Sequence, residues 1–246
     1  PAYIMQAQLA IARNDLDEAE RLVTLAARVI PEHPLLQALR GTLALRRGDA
    51  DTALRMLAQA SAQAPEDPVV LHGLGFAYLA KGHLAFAEQA FRKLIEATPG
   101  ARMVRPLIAE LQLRQGRPAD AVAEIAPLLE DPAAATPGLR RFAGELQLAA
   151  GRADLALPLL REAMAAMPGE PRTMAAIAET WRRLGASDDA RRSLDAALAD
   201  APDSDGLWQA RLAFEPVDGD VETLVARWRA ACPDSNSARR CAAAAA

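Results

Sequence analysis

A glycine recurs every 34 or 35 residues along most of this chain, and this period constrains the fold more than any other feature. The spacings between successive members are 34, 34, 35 and 34, at Gly48, Gly82, Gly116, Gly151 and Gly185. Asn14 occupies the same position one period earlier, and asparagine is the other residue that tolerates the left-handed backbone conformation. The period predicts repeated copies of one supersecondary unit.

Three further series keep the same register and hold alanine, proline or another small residue at a fixed distance from the glycine. The alanines are Ala19, Ala53, Ala87, Ala121, Ala156 and Ala190, and the prolines are Pro31, Pro65, Pro99, Pro132, Pro168, Pro202 and Pro233. The small residues are Gly41, Gly75, Ala109, Gly144 and Ala178. Because the proline series is irregular around Pro132, we expect a longer connection over residues 131–138.

The copy at residues 68–99 shows what each unit folds into. Apolar residues recur at helical spacing over residues 68–81, which predicts an amphipathic first helix that ends at Gly82. A second helix is predicted over residues 84–97. Pro99 ends it, because the ring removes a backbone donor and disfavours helical geometry in the preceding residue.

The small residues predict where the two helices of a unit approach each other. Gly75 on the first helix and Ala87 on the second would allow a close crossing that a larger side chain would push apart.

Composition agrees with an all-α chain, since 58 of the 246 residues are alanine and only 10 are aromatic. The net charge of −4 and the few aromatic side chains argue against nucleic-acid binding. The sequence contains no apolar run of 18 residues, so it predicts no membrane-spanning helix.

The phased residues resemble the tetratricopeptide repeat (TPR), a family with a 34-residue period; they are Leu74, Gly75, Tyr78, Gly82, Ala87, Phe91 and Pro99. The resemblance implies an α-solenoid of about 14 helices in antiparallel pairs, the TPR superhelix. The units would span about residues 1–31, 34–65, 68–99, 102–132, 137–168, 171–202 and 203–233 of one solenoid domain. Residues 234–246 would begin a further helix or form a truncated tail. The tryptophan expected early in the first helix is missing, and the last unit is degenerate.

The resemblance also implies a function, a protein-protein interaction scaffold that holds a protein or peptide partner on the concave face lined by the first helices. In the N-terminal half this face would present Leu45, Arg46, Val69, His72, Phe76 and Leu79, with Phe76 as the central anchor. This apolar strip is either an exposed partner groove or a surface that superhelical curvature buries between neighbouring repeats. The positions that grip a terminal carboxylate in the chaperone-binding TPR proteins hold Thr42, Phe76 and Glu110, so that clamp is absent.

The concave face of the C-terminal half is predicted to be charged, and its partner-binding candidates are Glu110, Arg114, Arg141, Glu145, Glu179 and Arg183. These residues form three opposite-charge pairs four residues apart. They are either self-neutralised surface pairs or an acidic series that binds a basic or zwitterionic ligand.

No catalytic motif and no metal-ligand spacing is found, since the three histidines, His33, His72 and His83, lie in unrelated positions. The sequence therefore predicts no enzyme, no cofactor and no metal. A second hypothesis is an accessory or regulatory domain of a larger bacterial enzyme or of an export or polysaccharide-secretion machine, which the missing initiator methionine favours. The excess of arginine over lysine, 26 to 2, suggests a bacterial gene. Homo-oligomerisation and the compartment, cytoplasmic or periplasmic, stay open.

Two cysteines lie near the end of the sequence, Cys232 and Cys241. A helix that begins near Ser235 would hold their sulfurs apart, because a disulfide requires Cα atoms within about 7 Å. We therefore expect two free thiols.

Overall fold

The structure is a computed structural model, and it describes residues 2–31, 33–215 and 219–236. These residues form 14 α-helices and no strand. The helices are α1 (Ala2–Ala12), α2 (Leu16–Val29), α3 (Pro34–Arg46), α4 (Ala50–Gln63), α5 (Pro68–Ala80), α6 (Leu84–Ala97), α7 (Arg105–Arg114), α8 (Pro118–Leu129), α9 (Pro137–Ala149), α10 (Ala153–Ala166), α11 (Pro171–Leu184), α12 (Ser187–Asp200), α13 (Asp205–Leu212) and α14 (Val221–Ala231). Odd numbers mark the first helix of a repeat and even numbers mark the second.

The chain reverses at the residues that the glycine series predicted. Gly82 has a φ of +74° between α5 and α6, and Asn14, with a φ of +60°, is the one described non-glycine residue with a positive φ. Three of the second helices, α2, α4 and α14, begin at an aspartate cap, as where Asp49 Oδ1 accepts a hydrogen bond from Thr52 N at 3.0 Å. The helices predicted over residues 68–81 and 84–97 are confirmed, as is the longer connection before α9.

The predicted close crossing of paired helices is also confirmed. Gly41 on α3 lies against Leu57 on α4, and a Cβ built on the glycine would come within 2.7 Å of Leu57 Cγ. Gly144 on α9 is related in the same way to Leu160 on α10, with a distance of 2.6 Å to Cγ. Ala87, one of the predicted small residues, is fully buried. Small residues therefore let the two helices of a repeat pack closely.

The fourth first helix differs from its counterparts. A 3-10 helix spans Pro99–Val104, and α7 begins only at Arg105, with Pro106 in its first turn. Proline is tolerated there because the first N–H groups of a helix have no intrahelical acceptor. The 3-10 helix thus occupies the place where the other repeats start their first helix.

The described chain divides into two compact units, Pro1–Arg117 and Pro118–Ala246. In each unit the main contacts of a helix are with the helices one or two places away in chain order. In the N-terminal unit, α1, α2 and α3 share one apolar core, and α5, α6 and α7 share another. In the C-terminal unit the core includes the fully buried ring of Trp181 and that of Trp228.

Near the end of the described chain, Cys232 is buried, and its Sγ lies 3.3 Å from the carbonyl oxygen of Asp203. Cys241 and the alanine run at 242–246 lie outside the described residues. The expectations of two free thiols and of a further helix therefore remain predictions.

Candidate partner-binding groove

A groove with a volume of about 450 Å³ lies in the N-terminal unit, along α1, α3 and α5. The last turn of α6 and the 3-10 helix also contribute to its lining. Its apolar lining consists of Ile11, Ala12, Leu39, Pro68, Val69, Leu94, Ala101 and Val104, and its polar lining of Gln8, Thr42, Arg46, His72 and Thr98. A groove of this size and composition is typical of sites that accept a ligand's apolar groups and orient them with a few polar contacts.

The groove crosses the first helices obliquely. It runs past Thr42 and Arg46 in the C-terminal half of α3, but past Pro68 and Val69 in the first turn of α5. Successive repeats of a solenoid are rotated relative to one another, so a straight groove meets a different part of each first helix. Equivalent positions of different repeats therefore do not all line it.

Three of the six predicted N-terminal site residues line the groove: Arg46, Val69 and His72. The other three, Leu45, Phe76 and Leu79, are half-buried and pack against the apolar cores of the unit. One part of the predicted apolar strip therefore lines the groove, and the other part packs between helices.

Phe76 lies beside the groove and outside its lining. Its ring centroid is 4.8 Å from that of His72 and 5.3 Å from that of Phe91, with the Phe91 ring edge-on. Phe76 is equivalent to Thr42, one repeat earlier, and to Gln8, two repeats earlier, and both of these line the groove. In α5 the groove has already moved toward the start of the helix, so Phe76 supports the His72 side of the wall.

Several lining residues were not singled out from the sequence. Ile11 and Leu39 belong to the apolar positions of first helices, so the helical pattern could have pointed to them. Thr98, Ala101 and Val104 could not be found this way, because they lie in the 3-10 segment that replaces the start of a first helix.

Arg46 is the one charged residue among the described residues that line the groove. The hydroxyl of Thr42, one helical turn before Arg46, donates a hydrogen bond to the carbonyl oxygen of Ala38 at 2.9 Å. Desolvation in the groove, together with the positive charge of Arg46, lowers the pKa of His72. His72 is therefore uncharged at neutral pH, and the charge of the groove comes from Arg46.

Two of the three predicted ion pairs on first helices form, both in the C-terminal unit. Arg141 pairs with Glu145, and Arg183 Nε donates to Glu179 Oε1 at 2.7 Å. The hydrogen bond from Arg183 lowers the pKa of Glu179 below its ordinary value and outweighs burial, which acts in the opposite direction. These four side chains are thus paired with each other within the protein.

The third pair at this spacing, between Glu110 and Arg114 on α7, does not form. Both side chains are exposed, and among the described residues no ion pair joins them. An exposed pair at this spacing contributes only about 0.3–0.5 kcal/mol, which does not fix two long side chains in one geometry.

A second cavity of about 460 Å³ lies in the C-terminal unit between α11 and α13. Its lining is rich in small residues, including Gly169, Ala178 and Gly206, and the polar groups there bind one another. Gln209 Nε2 donates to Asp205 Oδ2 at 2.9 Å, and Trp228 Nε1 donates to Asp205 Oδ1 at 2.8 Å. Asp205 is thus already bound by Gln209 and Trp228.

Other kinds of site are not found in the part of the chain that the structure describes. No three side chains of His, Cys, Asp or Glu are grouped as metal ligands, and no helix has the length and apolar character needed to cross a membrane. Two histidines have local roles: His33 Nδ1 accepts from Leu35 N at 3.2 Å at the start of α3, and His83 packs beside Tyr78 and Phe86.

Comparisons with known proteins agree with this architecture. Two family models described as tetratricopeptide repeat match the sequence, one over residues 44–111 and 147–213 and the other over residues 4–68 and 107–171. No curated protein matches the sequence.

Many solved structures are similar in fold. A tetratricopeptide repeat protein from Parabacteroides merdae is 17% identical, with 98% of this chain and 96% of that chain covered and a TM-score of 0.59. The C-terminal part of a TPR repeat-containing protein from Cytophaga hutchinsonii is 13% identical over 97% of this chain and 98% of that chain, with a TM-score of 0.70. YrrB, described as a TPR protein with an unusual peptide-binding site, is 18% identical over 77% of this chain and 97% of that chain, with a TM-score of 0.62.

Proposed function

Because this chain belongs to the tetratricopeptide repeat family, we propose that its N-terminal unit binds an extended segment of a partner protein in the groove along α1, α3 and α5. Repeats of this family are protein-interaction scaffolds, and the fold is typical of non-enzymatic proteins. The observation that carries the proposal is the groove itself, an apolar surface on three successive first helices with polar groups at intervals.

The shape and chemistry of the groove favour an extended peptide. The groove crosses three helices and follows a line, so it suits a chain segment that places successive side chains along it. Val69 is half-buried and Ala12 is exposed in the unbound groove, so a bound apolar side chain would remove both from water. Association would then be driven by apolar burial, and the polar groups would set the register of the peptide.

The charged first-helix residues Arg141, Glu145, Glu179 and Arg183 belong to the C-terminal unit and have no part in the groove. Ion pairs already join them within that unit, so we expect them to contribute little to the affinity of a partner. Glu110 and Arg114 are exposed on α7, and the same is expected of them. None of the six is expected to dominate the affinity.

Selection of peptides from a random 12-residue library tests this proposal. We expect the wild-type protein to select peptides that bind with micromolar or better affinity. Val69→Glu, which places a charge in the apolar lining, should weaken their binding about tenfold or more.

Val29→Glu is the matched control, because Val29 is 66% exposed on the second helix α2 and does not line the groove. Its circular dichroism spectrum, like that of Val69→Glu, should be that of the wild type. Selected peptides that bind Val69→Glu and Val29→Glu as tightly as the wild type would show that the groove is not the binding surface.

A further inference from the structure

We propose that the segment bound in the groove carries an aspartate or glutamate side chain between apolar residues, and that Arg46 is the specificity residue that pairs with this carboxylate. The inference rests on the proposed function and deepens it by naming the chemistry of the ligand. It depends on the charge state of the groove lining and on the position of Arg46 within it.

Arg46 has no carboxylate partner among the described residues, in contrast to three other arginines on or next to first helices. Arg141 and Arg183 each have a glutamate one helical turn away. Arg47, the next residue in sequence, has its Nη2 2.6 Å from Glu20 Oε2 on α2. At the position one turn before Arg46 the chain has Thr42, whose hydroxyl is bound to the backbone.

The Arg46 guanidinium therefore brings an uncompensated positive charge to the groove. No acidic residue is found among the described residues of the lining, and no ion pair involves Arg46 within the described chain. A guanidinium has five N–H donors in a planar arrangement that matches the two oxygens of a carboxylate. The groove thus has an unused site for one acidic group.

Binding makes this charge decisive for the choice of ligand. A purely apolar segment would cover Arg46 and remove water from it without replacing the lost hydrogen bonds, which costs free energy. A basic segment would add charge repulsion. A carboxylate at the same place restores the hydrogen bonds and the charge balance, so the groove discriminates among ligands as well as attracting one.

The position of Arg46 favours a side-chain carboxylate over a chain terminus. Arg46 is on α3, the middle of the three first helices, and the lining continues on both sides of it. On one side are Ile11 and Ala12 of α1, and on the other are Val69 and His72 of α5. A peptide that fills the groove therefore passes Arg46 and continues, which places an internal residue there.

The experiment uses the peptides selected by the wild-type protein, synthesised with amidated C-termini so that the carboxylates under test are side chains. We expect an aspartate or glutamate at one fixed position between apolar residues. Exchange of that residue for its amide, or Arg46→Gln in the protein, should each weaken binding roughly tenfold. The two changes together should weaken binding no more than either one alone.

Two further variants make the test specific. Arg28→Gln removes an exposed arginine of α2 that does not line the groove, and it should bind like the wild type. Arg46→Glu should reject the acidic peptide and accept a version with lysine at the fixed position, which a merely structural role for Arg46 would not produce.

The outcomes separate this inference from the function on which it rests. Peptides that depend on Val69 but show no acidic position, or that bind Arg46→Gln as tightly as the wild type, would leave the groove as the binding site and overturn the role of Arg46. Peptides that bind only with a free C-terminal carboxylate would also overturn it. If no selected peptide depends on Val69, both proposals fail.

Discussion

Gly75 on α5 lies directly beneath the ring of Phe91 on α6, so that a Cβ built on the glycine would be 2.4 Å from Phe91 Cε1. Phe91 is fully buried, and its ring is also edge-on to Phe76, which limits how far it can move. The same relationship joins Gly41 to Leu57 and Gly144 to Leu160. The pairing of helices within a repeat therefore depends on the absence of a side chain at one position.

Gly75→Ala is expected to destabilise the protein by about 1–3 kcal/mol, because the added methyl group must displace the Phe91 ring or separate the helices. Gly75→Leu and Ala87→Leu should cost more. Gly138→Ala is the control, since nothing lies within 4 Å of a Cβ at Gly138, which is also in a helix. Urea unfolding followed by circular dichroism measures the difference. Equal stability of Gly75→Ala and the wild type would show that α5 and α6 do not approach each other closely at Gly75.

Asn14, with its φ of +60°, ends the first helix where later repeats have glycine. Asn14→Ala should lower the free energy of unfolding by about 1 kcal/mol, because a Cβ without a local polar group disfavours the left-handed conformation. Asn14→Gly, which adopts this conformation without strain, should stay within about 0.5 kcal/mol of the wild type. Chemical denaturation of the three proteins tests the order. If Asn14→Gly lowered the free energy of unfolding as much as Asn14→Ala does, the asparagine side chain would be required for another reason.

Glu88 on α6 is a buried carboxylate held by donors from three sides. Burial alone would raise its pKa, but hydrogen bonds from Gln112, Arg92 and Gln115 outweigh burial, so the pKa lies below the ordinary value. Gln112 Nε2 donates to Glu88 Oε1 at 3.1 Å, and Arg117 forms an ion pair with Oε2. The network ties α6 to α7 and to the residues that follow it.

A lowered pKa in the folded state means that Glu88 stabilises the fold above its unfolded pKa of about 4.3. This contribution is lost as the pH falls from there through the folded pKa. Glu88→Gln should be less stable at pH 7, by on the order of 1–3 kcal/mol, and should lose less stability on acidification than the wild type does. Unfolding measured from pH 7 down to pH 3 tests this. Glu96→Gln, an exposed site on the same helix, should follow the wild-type curve.

Cys232 should react slowly with thiol reagents in the folded protein. It is buried at the end of α14, and burial, with added effects of Asp205 and Asp203, raises the pKa of its thiol. At pH 8 the reactive thiolate is therefore scarce as well as shielded. In a Cys241→Ser variant, which isolates this thiol, labelling should be at least roughly tenfold slower than in denaturant. Rapid labelling of the native variant would contradict the burial of Cys232.

The sequence predicted the helices and their crossings well because these depend on contacts that recur in every repeat. Gly75, for example, could be assigned its role from the period alone. The groove was predicted only in part, since Arg46, Val69 and His72 line it but Phe76 does not. The position of Phe76 depends on the rotation of each repeat relative to the last, and that rotation leaves no trace in the 34-residue pattern. Spacing alone does not decide whether a weak surface pair forms, since Glu179 and Arg183 pair but Glu110 and Arg114 do not.

The oblique course of the groove means that the repeats of the N-terminal unit are not interchangeable modules. A copy of α3 transplanted to the place of α5 would carry Thr42 and Arg46 away from the groove and bring its own first turn into it. Shuffling whole repeats would therefore preserve the stack of helices but change the side chains that line the groove. An array of identical units could fold in the same way, but it could not present one specific line of side chains to a partner. Sequence differences between the repeats are therefore what give this repeated fold a groove with a lining of its own.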